Sequence, residues 1–397
     1  MLERFRLRRL AFGTCLAALV VGVSAAPAAA VPASADRPQT QSVYDAQWPL
    51  RGANVQRVWT TTKGQGIRVA VIDSGVDASH PDLVGRVTGG GDFANGASGD
   101  GTQDVVAPEG HGTEVASLIA GTGKNFDGDG LLGLAPEAKI LAYGVYEDGQ
   151  PDPSAVAKAV RAAVADGAQI ILTPSSSVMA RPAVLAAVRD ALESDAVVVS
   201  GVDGGAGSTA GTTTGPAVMT RRIELPGVVT VAAVDRNGKV WSAPEPGTRV
   251  ALAAPGVDVL AASTDDRYWA GSDSSFAASW VAGAAALVRA AHPGWTAVQT
   301  IEKLIDTARP SGTGCTDDCG YGVVDPLKAV SDTTKPAAKT NPLLSATGPR
   351  QETATRSVRT AVDPERIMFF VVSAAAALML YVAVTTVFIR RQRSPGD

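Results

Sequence analysis

The chain carries three histidines, so chemistry that depends on histidine has few candidates: His80, His111 and His292. His80 and His292 are each followed by proline, which is typical of turns. His111 stands between two glycines at the start of a helical run, where the missing side chains let other backbone segments approach the ring closely. A lone histidine at a helix start can also be a simple cap or a partly buried ring. His111 is therefore the candidate general base, provided that a nucleophile lies elsewhere in the chain.

A candidate nucleophile stands at the start of the most apolar helix that the sequence predicts. The run Phe276 to Val288 carries no charge, which is typical of a buried helix. The polar residues Ser272 to Ser275 precede it and are types that cap helices. A serine there lies among free backbone N–H groups at the positive end of the helix dipole, which favours a developing oxyanion. A plain helix cap explains the same pattern.

A carboxylate that could orient the histidine follows the first predicted strand. Asp73 comes directly after the apolar run Ile67 to Ile72, which predicts a buried strand. The carboxyl ends of strands in a parallel sheet are where sites form. Asp73 could instead cap the turn that follows it.

The elements that must position these residues alternate between strands and helices. The predicted strands are Ile67 to Ile72, Ile140 to Val145, Gln169 to Thr173, Ala196 to Ser200 and Val228 to Val234. The predicted helices are Thr113 to Ala120, Ser154 to Ala165, Ala183 to Glu193 and Thr296 to Thr307, besides the helix at Ser275. This alternation predicts an α/β domain with a mainly parallel sheet between two helical layers. The chain of 397 residues, 45% of them hydrophobic, is long enough for one large domain with appendages.

The two ends of the chain predict export and a membrane anchor. Residues 1–35 have the basic start, apolar core and small-residue cleavage pattern of a secretory signal, with an uncleaved anchor helix as the alternative. The stretch 366–390 contains an uncharged run long enough to cross a bilayer, and the basic tail 391–397 predicts a cytoplasmic C-terminus. We expect a single-pass cell-membrane protein whose domain lies outside the cytoplasm. A removable sorting tail is the alternative.

Between these ends we expect an N-terminal arm at 36–57, one domain at 58–330 and a flexible linker at 331–365, where the composition shifts to Thr, Pro, Ala, Lys and Arg. Cys315 and Cys319 lie in one loop, and in an exported chain they predict a local disulfide rather than a metal site. Asn125 to Gly130 begins like a calcium loop, but Pro136 stands where a glutamate ligand is required, so we interpret it as a turn. We expect no metal and no other cofactor. The net charge of −4 argues against nucleic acid as a partner.

Several motifs together resemble the subtilisin-like serine proteases. These are Asp73-Ser74-Gly75, then His111-Gly112-Thr113, then Ser275 opening an apolar helix. Four shorter runs add to the resemblance: Asp77 to Leu83, Gly133 to Pro136, Ala253 to Gly256 and Tyr321 to Asp325. The resemblance covers about Val55 to Val330 and implies the subtilisin-like three-layer sandwich. The exported layout with a C-terminal anchor is similar to that of the mycosins, the membrane-tethered members associated with type VII secretion.

The resemblance implies a serine endopeptidase acting on a polypeptide substrate and linked to the type VII secretion machinery. Ser275 would attack a peptide carbonyl, His111 would take its proton and pass it to the leaving amine, and Asp73 would orient the imidazole and stabilise its charged form. We expect these three side chains to converge at one rim of the sheet. The alternatives are a pseudoprotease that acts as a scaffold or binding subunit of a secretion complex, and an esterase that uses the same serine.

Two departures from the family pattern concern the oxyanion. Asp273-Ser274 stand where the family has Gly-Thr, and a carboxylate two residues from Ser275 would repel a developing oxyanion. Asp203 aligns, within a residue or two, with the asparagine that the family uses as an oxyanion donor. An ionised carboxylate donates nothing, whereas a protonated Asp203 could still donate. We expect reduced activity if both departures act on the site.

Two further departures concern the substrate strand and the nucleophile helix. The run Leu172 to Ser176 replaces the family's substrate-pairing segment, and its Pro174 removes a backbone donor. Ser279 stands where the family has a proline after the first turn of the nucleophile helix. The first of these changes predicts weakened or shifted docking of a substrate strand.

Overall fold

The structure, a computed structural model, describes residues 42–94, 99–106, 110–173, 176–202, 225–241, 244, 248–309 and 317–344. The predicted signal sequence, membrane-spanning stretch and basic tail lie outside these residues, as do Pro174, Asp203 and Cys315. No helix within the described ranges is both long and apolar enough to cross a bilayer.

A parallel sheet forms the middle layer. In the described residues the strands are β1 (Arg68–Asp73), β2 (Val87–Asp92), β3 (Lys139–Gly144), β4 (Tyr146–Glu147), β5 (Gln150–Pro151), β6 (Ile170–Thr173), β7 (Val197–Gly201), β8 (Val229–Val234), β9 (Leu252–Pro255), β10 (Val259–Ser263) and β11 (Arg267–Gly271). Seven of them pair in the order β2-β3-β1-β6-β7-β8-β9, and every pairing in this sheet is parallel. Strands β4 and β5 and strands β10 and β11 form two antiparallel pairs. The predicted parallel sheet is confirmed, whereas β2, β9 and the two hairpins were not predicted.

Helices cover both faces of the sheet. They are α1 (Val43–Ala46), α2 (Trp48–Gly52), α3 (Val55–Trp59), α4 (His111–Ala120), α5 (Asn125–Gly128), α6 (Pro153–Ala165), α7 (Ser176–Met179), α8 (Pro182–Glu193), α9 (Ser274–Ala291), α10 (Ala297–Thr307) and α11 (Pro326–Ser331), with a 3₁₀ turn at Asp317–Cys319. Side chains of α4, α9 and α10 share one core cluster, and those of α6 and α8 share another. Alternate residues of β1 divide between the two clusters, as the period of a strand requires. The result is the expected three-layer sandwich.

Helix α9 is buried over most of its length. Every residue from Phe276 to Val288 is buried, which confirms the expectation drawn from its apolar, small-residue sequence. A Cβ placed on Gly283 would come within 3.1 Å of the Leu134 Cβ, so the glycine allows a close approach. The glycine therefore lets α9 pack closely against the loop that follows α4.

The N-terminal arm packs against the domain through buried polar contacts. The Gln47 side chain is 3% exposed, donates to the Leu132 carbonyl (2.7 Å) and accepts from the Leu132 N–H (3.1 Å). The indole of Trp48 donates to the Asp258 carbonyl (3.0 Å), and Leu50, Val55 and Val58 belong to the first core cluster. These contacts give the Gln47 side chain and the Trp48 indole the hydrogen-bond partners that polar groups need when they are removed from water.

The C-terminal segment 332–344 also packs on the domain. Gln299 of α10 donates to the Pro336 carbonyl (3.2 Å), and the Ala338 N–H donates to Glu302 (2.7 Å). The Asn341 side chain is buried and donates to the Gly227 carbonyl (2.8 Å). Side chains of α10 thus satisfy the backbone of a segment whose own composition is linker-like, and the domain boundary at 331 stays a prediction.

Replacing Asn341 tests whether this segment belongs to the folded unit. Asn341→Ala leaves the Gly227 carbonyl without its donor and the Leu343 N–H without its acceptor. We expect the free energy of unfolding to fall by about 1–3 kcal/mol, measured by chemical denaturation of the full chain. Lys339→Ala changes an exposed residue of the same segment and should stay within about 0.5 kcal/mol of the parent. Equal stability of all three proteins would contradict the assignment.

Candidate active site

The structure brings Asp73, His111 and Ser275 into one hydrogen-bonded series. His111 Nδ1 lies 2.9 Å from Asp73 Oδ1, and His111 Nε2 lies 2.8 Å from Ser275 Oγ. Asp73 ends β1, His111 begins α4, and Ser275 is in the first turn of α9. The three elements meet at the carboxyl edge of the parallel sheet, where sites form in α/β folds. In this order the imidazole can accept the serine proton while the carboxylate faces its other nitrogen.

Two glycines let the start of α4 pack closely against its neighbours. Gly110 has a φ of 79°, and a Cβ there would come within 2.5 Å of Thr264 Cγ2. A Cβ on Gly112 would overlap the Gly75 carbonyl oxygen and lie 3.3 Å from the Asp73 Cβ. A larger residue at position 112 would push α4, and His111 with it, away from Asp73, whereas one at position 110 would collide with the side chains of Thr264 and Asp104. Gly112 thus has the close-approach role that the sequence indicated.

The first turn of α9 also contacts the His111 ring. Phe276 stacks against it, with the ring centroids 6.4 Å apart and the planes 19° from parallel. Ser279, in the place of the family's proline, donates its hydroxyl to the Ser275 carbonyl (2.8 Å), a bond typical of serine inside a helix. The Phe276 contact fixes the start of α9 relative to the imidazole, whereas the Ser279 bond lies within the helix.

A carboxylate that the sequence did not indicate lies behind this series. Asp104 accepts hydrogen bonds from the Ser74 hydroxyl (2.7 Å), from the Thr113 hydroxyl (2.8 Å) and from the Thr113 N–H (2.8 Å). Ser74 follows Asp73, and Thr113 lies two residues after His111. Burial raises the pKa of Asp104 and the charge of Asp73 adds to this, while the bonds from Ser74 and Thr113 oppose it. Only its position just before the His-Gly-Thr motif could have drawn attention to it.

Asp273 caps α9 through the backbone of the candidate nucleophile itself. Its Oδ1 accepts from the Ser275 N–H at 2.7 Å. Close packing holds this segment: a Cβ on Gly201 would come within 2.7 Å of Ser274 Oγ, and one on Gly256 within 2.6 Å of the Asp273 carbonyl oxygen. A developing oxyanion would need the Ser275 N–H as a hydrogen-bond donor, but in this structure that N–H donates to the Asp273 carboxylate.

Several carboxylates act on the charge of His111. Burial lowers the pKa of the imidazole, but the charge of Asp73 and the hydrogen bond to it raise it more strongly. The charges of Asp273 and Glu114 raise it further, and the resulting pKa is about 10. A protonated imidazole cannot accept a proton from Ser275. His111 therefore becomes a competent base only as the pH rises toward this value.

The segment that begins like a calcium loop contains the short, irregular helix α5, where a turn was predicted. Phe126 and Asp127 have positive φ angles of 47° and 56°. Asp82 accepts from the Asn125 N–H (2.9 Å) and from the Tyr268 hydroxyl (2.6 Å), so the nearby carboxylate bonds to protein donors. Within the ranges that the structure describes, no group of three or more His, Cys, Asp or Glu residues is arranged to hold a metal ion.

Three of the predicted positions lie outside the described residues. They are Asp203 at the expected oxyanion position, Pro174 in the substrate-pairing run and Cys315 of the predicted disulfide. Their roles stay predictions.

Replacing Asp273 by asparagine tests its charge on His111. The asparagine side chain would keep the capping oxygen but lose the negative charge, so the pKa of His111 should fall below the parent's value of about 10. NMR of ¹³C-labelled histidine during a pH titration measures this directly, because the chain has three histidines. Asp235→Asn, in the turn after β8, is the matched control and should leave His111 unchanged. Identical titrations of both variants would show that Asp273 has no such effect.

Comparison with known proteins relates the chain to proteases. The sequence profile of the subtilase family matches residues 64–322. The thermostable alkaline protease of Halalkalibacterium halodurans is 34% identical over 251 residues, which cover 63% of this chain and 64% of that protein. The chain therefore spans slightly less than two thirds of that curated relative.

Solved structures give a second, independent comparison. MycP1 from the ESX-1 type VII secretion system superposes with a TM-score of 0.61 at 25% identity, covering 77% of this chain and 91% of that one. A chain of the periplasmic assembly from the ESX-5 inner membrane complex superposes with a TM-score of 0.57 at 29% identity, covering 76% and 87%. These neighbours confirm the resemblance to the mycosins.

Proposed function

Because the chain belongs to the subtilase family, we propose that it is a membrane-anchored serine endopeptidase that acts outside the cytoplasm and is linked to type VII secretion. The observation that supports this proposal best is the hydrogen-bonded series from Asp73 through His111 to Ser275. Its distances lie within the range expected of a nucleophile and its base. The curated relatives and the mycosin structures support the reaction class and the link to secretion.

In the proposed reaction, neutral His111 accepts the Ser275 hydroxyl proton at Nε2 while Oγ attacks the peptide carbonyl carbon. Asp73 Oδ1 accepts from Nδ1–H, holds the ring in this tautomer and stabilises the imidazolium that forms. His111 then donates the proton to the leaving amine, and the acyl group stays on Ser275. A water molecule, deprotonated by the same imidazole, attacks the acyl carbon, and the proton returns to Ser275 as the product acid leaves.

The activity of the resting chain is proposed to be low. The Ser275 N–H that would stabilise the oxyanion already donates to Asp273. Losing one such donor lowers turnover by on the order of 10²–10³. If Asp203 stands at the other oxyanion position as an ionised carboxylate, a second donor is missing. Substrate binding that breaks the bond between Asp273 and Ser275 would restore the first donor.

The anchor and the arrangement in the cell are part of the same proposal. The signal at 1–35 and the apolar stretch 366–390 support export with a C-terminal anchor, which places the C-terminus in the cytoplasm. One similar chain comes from a periplasmic assembly of an inner membrane complex, which supports secretion machinery as a partner. Cys319 is buried and disulfide-bonded, which supports a Cys315–Cys319 pair and an oxidising compartment.

A specific observation also favours a second function, that of a catalytically impaired scaffold within a secretion complex. The Asp273 carboxylate accepts the hydrogen bond of the Ser275 N–H, and the raised pKa of His111 keeps the imidazole charged at neutral pH. A subunit that serves only to bind partners would tolerate both features. The two functions differ in whether Ser275 reacts at all.

Labelling with a fluorophosphonate probe separates these two functions. We expect the full chain to be labelled more rapidly as the pH rises toward the pKa of His111, because the neutral ring is the base. Ser275→Ala should abolish labelling, whereas Ser194→Ala, at an exposed serine, should leave it unchanged. Absence of labelling in the parent at every pH would favour the scaffold.

A pair of substitutions at Asp273 tests whether its cap limits the reaction. Asp273→Gly frees the Ser275 N–H and removes the charge, whereas Asp273→Asn removes the charge but keeps an acceptor for that N–H. We expect the glycine variant to be labelled on the order of tenfold or more faster than the asparagine variant. Equal rates would mean that the cap does not block the donor.

The same assay tests Asp203. An asparagine at this position supplies an amide donor, so Asp203→Asn should raise the labelling rate if the residue faces the oxyanion. Labelling of this variant in the absence of labelling of the parent would mean that the three reacting side chains are competent and that the oxyanion position is disabled. An unchanged rate would remove Asp203 from the proposed site.

A further inference from the structure

The Ser74 hydroxyl lies between two carboxylates and can serve only one of them as donor. Its oxygen is 2.7 Å from Asp104 Oδ1 and 3.2 Å from Asp73 Oδ1. The same oxygen accepts from the Gly112 N–H at 3.0 Å. A serine hydroxyl carries one proton, so the shorter distance assigns this proton to Asp104. Asp73 Oδ1 then keeps the Ser74 N–H (2.8 Å) and His111 Nδ1 (2.9 Å) as its hydrogen-bond partners.

Asp104 also ties the start of α4 to the end of β1. Its Oδ2 accepts both the N–H and the hydroxyl of Thr113, two residues after His111. The Thr113 oxygen in turn accepts from the Asp77 N–H at 2.9 Å, in the loop that follows β1. One carboxylate thereby connects the residue after Asp73 with the turn that carries His111.

We propose that Asp104 is a positioning residue that takes the Ser74 hydroxyl proton and so leaves the Asp73 carboxylate free to serve His111. This role rests on the proposed function only for its use in catalysis; the coupling between Asp104 and His111 exists whether or not the chain hydrolyses peptides. Without the Asp104 acceptor, the Ser74 hydroxyl donates to Asp73 instead. This hydrogen bond weakens the interaction of the Asp73 carboxylate with the His111 ring.

The test is a double-substitution cycle read on the ring of His111. In Asp104→Asn the amide N–H₂ can donate to Ser74 Oγ, and the hydroxyl proton then passes to Asp73. A hydrogen bond to Asp73 weakens its hold on the imidazolium, so the pKa of His111 should fall by about one unit. The other charges that act on the ring, Asp273 and Glu114, are unchanged in this variant.

The second half of the double-substitution cycle repeats this measurement in a chain that lacks the Ser74 hydroxyl. In a Ser74→Ala background, Asp104→Asn should change the pKa of His111 by no more than about 0.3 unit, the limit for groups that do not interact. In a Ser74→Thr background, which keeps a hydroxyl, the fall of one unit should return. The titration uses the full chain labelled with ¹³C-histidine, and His111→Gln assigns the resonance.

Two results would overturn the proposal. An equal fall in the parent and in the Ser74→Ala background would mean that Asp104 acts through space and not through the hydroxyl. A rise of about one unit in Ser74→Ala alone would mean that the hydroxyl already donates to Asp73. Ser74→Ala is also informative if Asp104→Asn does not fold. The pKa of the His111 ring is measured without substrate. The proposal can therefore be tested even if the chain shows no fluorophosphonate labelling.

Discussion

The hydrogen bond from the Ser275 N–H to the Asp273 carboxylate is the interaction on which the site depends. Helix α9 is buried from Phe276 to Val288, so packing of this run against its neighbours fixes the position of its first turn. A helix start needs acceptors for its free N–H groups, and aspartate provides a good one. The N–H that is capped here belongs to the candidate nucleophile. The same donor cannot also face an oxyanion, so stability at this helix start and stabilisation of a transition state compete directly.

Charge reinforces this competition. Asp73 must face His111 if the imidazole is to be oriented, and its charge alone favours the protonated ring. Asp273 and Glu114 add to this effect. A base is most useful when its pKa lies near the working pH, so each extra carboxylate that raises the pKa of His111 moves it away from that optimum at neutral pH. The features that cap α9 therefore lower the fraction of neutral imidazole as well as blocking a donor.

Short sequence patterns were enough to predict the elements that carry Asp73, His111 and Ser275. Asp73 and His111 were found because each ends or begins an element, and the buried run after Ser275 needs no partner to be recognised. Strand β2 was missed because its glycines hide any apolar pattern, and β9 because its alanines and proline do not favour a strand. Asp104 was missed because its partners Ser74 and Thr113 are 30 and 9 residues away in the chain. The contacts of the segment after residue 331 depend on α10 side chains, which composition alone does not show.

Some of the close contacts around the site serve the packing of the fold, and others serve the proposed chemistry. Gly112 brings α4 so near to the end of β1 that a Cβ there would collide with the Gly75 carbonyl oxygen, and this approach sets the distance from His111 to Asp73. A binding module has no need of a serine, an imidazole and a carboxylate held within 2.9 Å of each other in series. The Asp273 carboxylate, by contrast, bonds to the Ser275 N–H and leaves these distances intact. The geometry therefore supports the proposed reacting site with one donor withdrawn, and not a site whose parts have separated.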